Sequence, residues 1–148
     1  MSENVLASWA GQWQGDETIA TTRWGQGGPA SGEFTAKLEF NGRVLVQDYR
    51  EERDGKPALQ VHAVFVAEAE PGQYSLYWFD SYGFVPSAPA PGVLNGETLT
   101  FVRSSPRGQT RHVYAFEGHD VLTLRLESSF DGGASWELVM TGRYSRRG

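Results

Sequence analysis

Two arginines near the middle of the chain, Arg103 and Arg111, are the residues whose types and spacing point most directly to chemistry. A hairpin loop over Pro106 to Gly108 predicts that they lie opposite each other on neighbouring strands and face the interior. Like charges in that position repel, so a negative group is expected between them. Asp80 is one candidate, and an anionic ligand held by bidentate hydrogen bonds is the other. The alternative is that both arginines lie at the rim and extend into solvent.

Other polar and aromatic residues are expected at the same end of the fold. A four-residue loop from Asp54 to Pro57 pairs His62 with Tyr49, but the alternating residues Leu59, Val61, Ala63 and Phe65 form a more apolar inward set. The face on which His62 lies therefore stays open. The full set expected to bind a ligand is Tyr49, His62, Trp78, Asp80, Tyr82, Arg103, Arg111 and Trp136.

The segment SFDGGASW, residues 129–136, fits the S-x-D-x-G-x-[ST]-W pattern of the Asp-box, which is best known from sialidases. The box stabilises one hairpin of each propeller blade, and a propeller needs several copies. One copy predicts a turn in which Asp131 accepts hydrogen bonds from backbone amides and the glycines supply positive φ. A five-residue loop then pairs Leu126 with Leu138, Leu124 with Met140 and Ser128 with Trp136, which places Trp136 over the barrel mouth.

Turn sequences recur along the chain and separate short runs rich in Val, Phe, Tyr, Thr and Leu. This pattern is typical of antiparallel strands joined by hairpins. We expect an all-β fold of about ten strands in up-and-down order, with one short helix over residues 3–8. A wide antiparallel sheet without covering helices closes on itself, so a barrel is favoured. The longer loops, including the proline-rich run 86–91, fall at one end, which becomes the open end.

The hairpin loops also predict which side chains share a face. Leu38 is expected opposite Leu45, and Phe34 opposite Tyr49. Further along, Phe101 is expected opposite Val113, with Val113 beside Leu124 and Ala115 beside Leu122. The same register turns six residues outward: Thr100, His112, Tyr114, Thr123, Arg125 and Glu127.

Composition excludes several classes of function. The 148 residues suit one domain over 1–148, and the net charge of −5 argues against nucleic acid or an anionic membrane surface as a partner. There is no cysteine, no signal-peptide pattern and no apolar run long enough to span a bilayer, so a cytoplasmic protein is expected. No nucleophile elbow, His-Glu-x-x-His, phosphate loop or dinucleotide fingerprint is present, and we expect no metal and no cofactor.

A wider series of motifs resembles a known fold. Gly11-Gln12-Trp13 near the start and Arg143-Tyr144-Ser145-Arg146 near the finish are similar to the calycins, in which a first-strand tryptophan and a late arginine close the barrel bottom. With Gly42-Arg43, Asp48-Tyr49, Trp78-Phe79-Asp80-Ser81 and Asp131-Gly132, the chain resembles the bacterial family called domain of unknown function 1579. The resemblance implies a lipocalin-like barrel with Trp13 and Arg143 as its plug, and it implies no activity.

Three functional interpretations follow from these residues. The first is non-covalent binding of a small apolar or amphipathic molecule, with or without an anionic group, near the open end. The second is a hydrolase or isomerase built on Asp80, His62 and Tyr82, and the third is an interaction module whose exposed aromatics, among Trp24, Tyr82 and Phe84, form a homodimer surface. The chain is also similar to nitrobindin-like haem barrels, whose iron needs a histidine, and His62 is the expected candidate.

Overall fold

A computed structural model describes residues 5–147 and contains ten antiparallel strands and one short helix. The elements are α1 (Leu6–Trp9), β1 (Gly11–Ile19), β2 (Gly28–Glu39), β3 (Val44–Arg53), β4 (Lys56–Ala67), β5 (Gln73–Asp80), β6 (Ala90–Asn95), β7 (Thr98–Ser105), β8 (Gly108–Glu117), β9 (Val121–Ser129) and β10 (Glu137–Arg146). Each strand pairs with its sequence neighbours, and β1 pairs with β10 to close the barrel. The predicted all-β, up-and-down barrel is confirmed. The predicted helix is present as α1, whereas residues 3 and 4 lie outside the described range.

The loops sort to the two barrel ends as the sequence predicts. The open end carries the long connections 20–27, 81–89 and 130–136 together with the two-residue turns 54–55 and 106–107, and the closed end carries α1 and the other turns. Within residues 5–147 no helix is long and apolar enough to cross a bilayer. The open end therefore has most of the irregular backbone from which a binding site is usually built.

The register of the β2–β3 hairpin is as predicted, and that of the later hairpins is not. Leu38 pairs with Leu45 and Phe34 with Tyr49. In the β7–β8 hairpin, however, Ser105 pairs with Gly108, so the turn has two residues instead of three and Phe101 lies opposite His112. Because side chains alternate along a strand, this shift of one residue exchanges the two faces of β8.

The corrected register turns aromatic residues into the barrel. His112, Tyr114 and Phe116 are buried inside, whereas Val113 and Ala115 belong to the outer face, so the predictions for those positions were wrong. A three-residue turn after Glu117 carries the shift into β9, where Tyr114 pairs with Leu124 and Phe116 with Leu122. The larger rings fill more of the lumen than the predicted valine and alanine would, which favours this register.

A β-bulge sets the register of the last hairpin. Leu126 pairs with Met140 and Ser128 with Glu137, and the register shifts between Leu138 and Met140. The predicted pairs of Leu126 with Leu138, Leu124 with Met140 and Ser128 with Trp136 were wrong. The spacing of turn residues does not reveal the extra residue of a bulge, so this register shift could not be predicted from the sequence.

The closed half of the barrel is filled by aromatic side chains. Trp9 of α1 lies with its ring centroid 4.6 Å from that of Phe65 and 4.7 Å from that of Tyr114. Its indole Nε1 donates to Gln47 Oε1 at 3.0 Å, and its carbonyl accepts from Trp13 Nε1 at 2.9 Å. Because these rings occupy the bottom of the lumen, any ligand site belongs to the open half.

The arginine that covers Trp13 is Arg146, and the prediction of Arg143 was wrong. The Arg146 guanidinium carbon lies 4.3 Å from the Trp13 ring centroid. Its Nη1 donates to Ala10 O at 2.7 Å and its Nη2 to Ser8 O at 2.5 Å, so it also holds the end of α1. Arg143 faces outward and pairs with Glu117 at 2.9 Å. Strand alternation from Tyr144, which is buried, accounts for the outward side chain at position 143.

Replacing Arg146 by alanine is expected to lower the free energy of unfolding by about 2 kcal/mol, because a cation–π contact and charge-assisted hydrogen bonds are lost together. Urea denaturation followed by circular dichroism measures the change. The matched control is Arg143→Ala, which removes an exposed ion pair and should cost no more than about 0.5 kcal/mol. Equal losses in the two variants would contradict the assignment of the plug to Arg146.

Candidate functional site

The wall of the open half has a gap between β5 and β7. The intervening strand β6 pairs with residues 73–76 of β5 and with residues 98–101 of β7. Residues 77–80 and 102–105 extend beyond these ladders toward the open end and pair with their other neighbours, β4 and β8. The segment 81–89, which contains residues 86–89 of the proline-rich run, connects β5 to β6 beside this gap.

Arg103 projects inward beside the gap. Its guanidinium carbon lies 4.9 Å from the Trp78 ring centroid and 4.7 Å from that of Phe84, and Nε donates to His112 Nε2 at 3.2 Å. Among residues 5–147, none hydrogen-bonds to its two terminal nitrogens. Burial lowers the pKa of Arg103 below its usual value, whereas the charge of Asp80 opposes that shift. Arginine stays protonated even when it is partly buried. The site therefore contains a positive charge whose two terminal nitrogens have no hydrogen-bond acceptor among the described residues.

Asp80 holds the two aromatic walls in place around Arg103. Its Oδ2 accepts from Trp78 Nε1 at 2.9 Å, and its Oδ1 accepts from the backbone nitrogens of Tyr82 at 3.0 Å and Phe84 at 3.2 Å. One carboxylate thus fixes the Trp78 indole and the start of the segment that carries Phe84. Asp80 was predicted to be an internal counter-charge for Arg103. Its charge does stabilise the protonated guanidinium, but the two residues form no direct ion pair in the described structure.

His112, which the sequence argument turned outward, is fully buried in the lumen next to Arg103. Because Nε2 accepts the hydrogen bond from Arg103, the ring proton is assigned to Nδ1, which lies 3.5 Å from the Tyr114 hydroxyl. Burial, together with the charge of Arg103, lowers the pKa of His112 well below 6.5. The imidazole is therefore neutral and acts as an acceptor that orients the guanidinium.

Arg111 lies on the outer face, so the predicted pair of facing arginines does not form. Val102 is the residue opposite Arg111. The Arg111 guanidinium donates to Glu127, with Nη2 at 2.7 Å from Oε1, and its carbon lies 4.1 Å from the Trp136 ring centroid. Trp136 consequently packs outside the barrel and does not cover the mouth. The two arginines therefore do not repel each other inside the barrel, and their repulsion is no evidence for an anionic ligand. Of the two, only Arg103 can contact a ligand in the lumen.

The SFDGGASW segment is a turn, as expected. Asp131 Oδ1 accepts from Ser135 N at 2.9 Å and from Ser129 Oγ at 2.8 Å, and Gly132 and Gly133 have φ of 73° and 93°. Hydrogen bonds from Ser135 and Ser129 lower the pKa of Asp131 to about 2. The motif thus stabilises the β9–β10 connection and contributes no side chain to the Arg103 site.

His62 lies on the outer face, which settles the orientation that the sequence left open. It pairs with Asp48, not Tyr49, and its Nδ1 lies 2.7 Å from Asp48 Oδ1. Tyr82 is 71% exposed at the open end. No hydrogen bond in the described structure joins His62 to Asp80 or Tyr82, so the proposed catalytic group is not assembled. The outward position also removes His62 as a haem ligand inside the barrel.

A second polar cluster, which the sequence argument missed, occupies another part of the wall. The Glu17 carboxylate accepts through Oε2 from the hydroxyls of Tyr49 and Tyr144, the latter at 2.5 Å. The Tyr49 hydroxyl also lies 3.1 Å from Glu51 Oε2. A Cβ atom at Gly32 would come within 2.3 Å of Glu17 Oε2, so the glycine makes room for this carboxylate. Strand alternation from the inward Trp13 could have placed Glu17 inside.

The two glutamates of this cluster differ in their electrostatic surroundings. Both are 2% exposed, but Glu51 Oε1 has a cation beside it, Arg53 Nε at 3.1 Å. Glu17 has no ion-pair partner among residues 5–147, and its Oε1 has no hydrogen-bond partner there. Burial and the neighbouring Glu51 raise the pKa of Glu17 to about 7, although the two tyrosine hydroxyls act in the opposite direction. Glu17 therefore changes its charge near neutral pH.

Comparison with known proteins places the chain in a family. The sequence profile described as protein of unknown function (DUF1579) matches residues 2–146. The chain belongs to the DUF1579 family. This confirms the resemblance carried by the glycine–tryptophan and arginine–tyrosine motifs. No curated protein matches this DUF1579 member.

Two solved structures share the fold of this DUF1579 chain. Rv2717c from M. tuberculosis has a TM-score of 0.76 and 14% sequence identity, over 97% of this chain and 96% of that one. The S-type phycobiliprotein lyase CPES from Guillardia theta has a TM-score of 0.73 and 12% identity, over 100% of this chain and 94% of that one. At these identities the comparison shows a common architecture.

Proposed function

We propose that this barrel binds a small amphipathic anion in its open half, with a carboxylate of the ligand on Arg103. The observation that carries the proposal is the pair of terminal Arg103 nitrogens, which have no hydrogen-bond partner among the described residues. A partly buried guanidinium without a carboxylate partner is unfavourable, and an anion that accepts two parallel hydrogen bonds compensates it.

The surroundings of Arg103 favour a planar anionic group attached to an apolar body. The rings of Trp78 and Phe84 lie near the guanidinium, and His112 occupies Nε, so the edge with both terminal nitrogens remains available. A carboxylate can accept from both nitrogens in the guanidinium plane. The same aromatic rings offer apolar surface to the rest of the ligand.

The gap between β5 and β7 provides a route to this site. It lies beside Trp78 and Arg103, and the segment 81–89 connects its two sides and carries Phe84. The barrel fold shared with a phycobiliprotein lyase supports a ligand site inside the barrel. The class of ligand is inferred from Arg103 and not from the lyase.

The proposal is tested with naphthalene-2-carboxylate as a probe in isothermal titration calorimetry. The native protein should bind the carboxylate at least about tenfold more tightly than the neutral naphthalene-2-carboxamide, because a charged hydrogen-bonded pair contributes about 1.5–3 kcal/mol. Arg103→Gln should remove this preference while leaving the carboxamide affinity unchanged.

The matched control is Arg107→Gln, which removes an exposed arginine from the turn that follows β7. Its affinity for the carboxylate should equal that of the native protein. Circular dichroism establishes that both variants are folded. Equal binding of the carboxylate by Arg103→Gln and by the native protein, or no binding by the native protein, would overturn the proposal.

A further inference from the structure

The Glu17–Glu51 pair forms a buried acidic site on the wall built by β1, β3 and β10. The two carboxyl groups are joined through the Tyr49 hydroxyl, which contacts Glu17 Oε2 and lies 3.1 Å from Glu51 Oε2. Arg53 compensates the charge of Glu51, whereas Glu17 has no cation beside it in the described structure. Two ionised carboxylates this close and this well buried repel strongly, so one of them holds a proton.

The free oxygen of Glu17 indicates where that proton belongs. Both tyrosine hydroxyls donate to Oε2, and Oε1 is buried with no partner among residues 5–147. A buried carboxylate oxygen that accepts no hydrogen bond is unfavourable. When the carboxyl group is protonated, its O–H can donate a hydrogen bond instead. Glu51 is close enough to accept that bond from Glu17. Protonation of Glu17 therefore removes both the repulsion and the unmatched acceptor.

The titratable groups that face Glu17 come from three strands. Tyr49 and Glu51 belong to β3, with Arg53 beyond Glu51, and Tyr144 belongs to β10. Tyr114 of β8 lies within electrostatic range of both Tyr144 and Arg103. Burial raises its pKa, so it is uncharged near neutral pH. Tyr114 thus lies between the acidic site and the proposed anion site, and its hydroxyl contacts His112, which holds Arg103.

We propose that anion binding at Arg103 is coupled to uptake of a proton by Glu17, an inference that rests on the proposed function. Both sites face one low-dielectric lumen, so a negative ligand disfavours a negative Glu17. By thermodynamic reciprocity, a protonated Glu17 favours the anion. The proton comes from solvent and is released when the ligand leaves, so no other reactant is required. The proton thereby regulates how tightly the barrel retains its ligand.

The coupling is measured by titrating naphthalene-2-carboxylate, which stays ionised throughout, between pH 6 and pH 9. If the bound anion raises the Glu17 pKa by about one unit, the affinity falls about tenfold across this range. Calorimetry in two buffers of different ionisation enthalpy should then show uptake of roughly half a proton near pH 7.5.

Glu17→Gln imitates the protonated carboxyl group, since its amide can accept from the tyrosines and donate to Glu51. This variant should bind the probe with the low-pH affinity at every pH and without proton uptake. The matched control, Glu70→Gln, changes a glutamate in the turn before β5 at the closed end and should keep the native pH dependence.

The possible outcomes separate this inference from the proposed function. Probe binding that depends on Arg103 but not on pH, without proton uptake, overturns the coupling and leaves the anion site standing. Absence of probe binding at any pH overturns both. If Glu17→Gln does not fold, the carbon-13 shift of the Glu17 carboxyl in the native protein decides the question, because its pKa must rise when the probe is added.

Discussion

Replacing Trp9 by alanine is expected to lower the free energy of unfolding by about 4 kcal/mol, the largest effect of any single substitution considered for this barrel. Trp9 is fully buried, and its ring packs against Phe65, Tyr114 and Phe116, with the last centroid at 5.8 Å. Its removal leaves a cavity between rings from β4 and β8 that the rigid barrel cannot close.

The loss also includes a polar contribution. Gln47 is 5% exposed, and its side-chain oxygen accepts from Trp9 Nε1. Without the indole, that buried amide oxygen has lost its donor, which adds to the cost of the cavity. Since small domains are stable by about 5–15 kcal/mol, the variant should unfold at a markedly lower urea concentration.

Trp24→Ala is the matched control, because it removes the same side chain from a position that is 67% exposed. It should change the free energy of unfolding by less than about 1 kcal/mol. Urea denaturation monitored by far-ultraviolet circular dichroism compares the two variants without relying on tryptophan emission. A loss for Trp9→Ala no greater than that for Trp24→Ala would show that α1 does not close the barrel as described.

The second large effect is the contribution of Glu17 to stability, which falls by about 2 kcal/mol between pH 5 and pH 8. The pKa of this carboxyl group is raised in the folded state from 4.5 to about 7. A raised pKa means that the folded protein binds the proton more tightly than the unfolded chain does. The contribution is therefore complete below pH 4.5 and is lost as pH rises through 7.

Glu17→Gln should abolish most of this pH dependence. At pH 8 the variant should be more stable than the native protein by about 2 kcal/mol, because it has no charge to bury. At pH 5, where native Glu17 is protonated, the two proteins should differ little. Thermal or urea unfolding at the two pH values measures this, with Glu70→Gln as the control. His112, whose pKa is lowered by burial, acts in the opposite direction but equally in both proteins, so it cancels in the comparison. A stability difference between Glu17→Gln and the native protein that is the same at both pH values would contradict a neutral Glu17.

Most of the fold follows from local sequence signals. Asn41-Gly42 and the other turn sequences mark strand ends, and the absence of any long helical period leaves a sheet that must close. The two predicted pairs in the β2–β3 hairpin, Leu38 with Leu45 and Phe34 with Tyr49, are confirmed. Turn chemistry is encoded over a few residues, so it can be read without knowledge of the tertiary structure.

The later registers were wrong because single-residue differences in loop length and bulges are not encoded so locally. Pro106-Arg107-Gly108 is compatible with a two- or a three-residue turn, and the choice exchanges the faces of every following residue in the hairpin. Because Val113 and Ala115 are apolar, the outer face of β8 was predicted to be its core face. The deciding factor was tertiary, since the lumen accommodates the rings of Tyr114 and Phe116.

The candidate site was predicted in part. Arg103, Trp78 and Asp80 do come together at the open end, as strand direction suggests. Arg111, Trp136 and His62 lie outside, because each belongs to a strand or loop whose register was misjudged or left open. Glu17 was missed for a different reason. Glu17 and Glu51 belong to β1 and β3, which lie on either side of β2, so their contact depends on the tertiary structure and not on spacing along the chain.

The gap between β5 and β7 also bears on how the barrel avoids pairing with other chains. A closed sheet has no free edge, but here backbone groups of residues 77–80 and 102–105 extend past the β6 ladders. Such a stretch can template a foreign strand and begin aggregation. Pro86 and Pro89 lie in the neighbouring segment and Pro91 lies in β6, and proline has no N–H with which to continue a ladder. The prolines therefore keep the segment 81–89 and the start of β6 from serving as a template for strand addition.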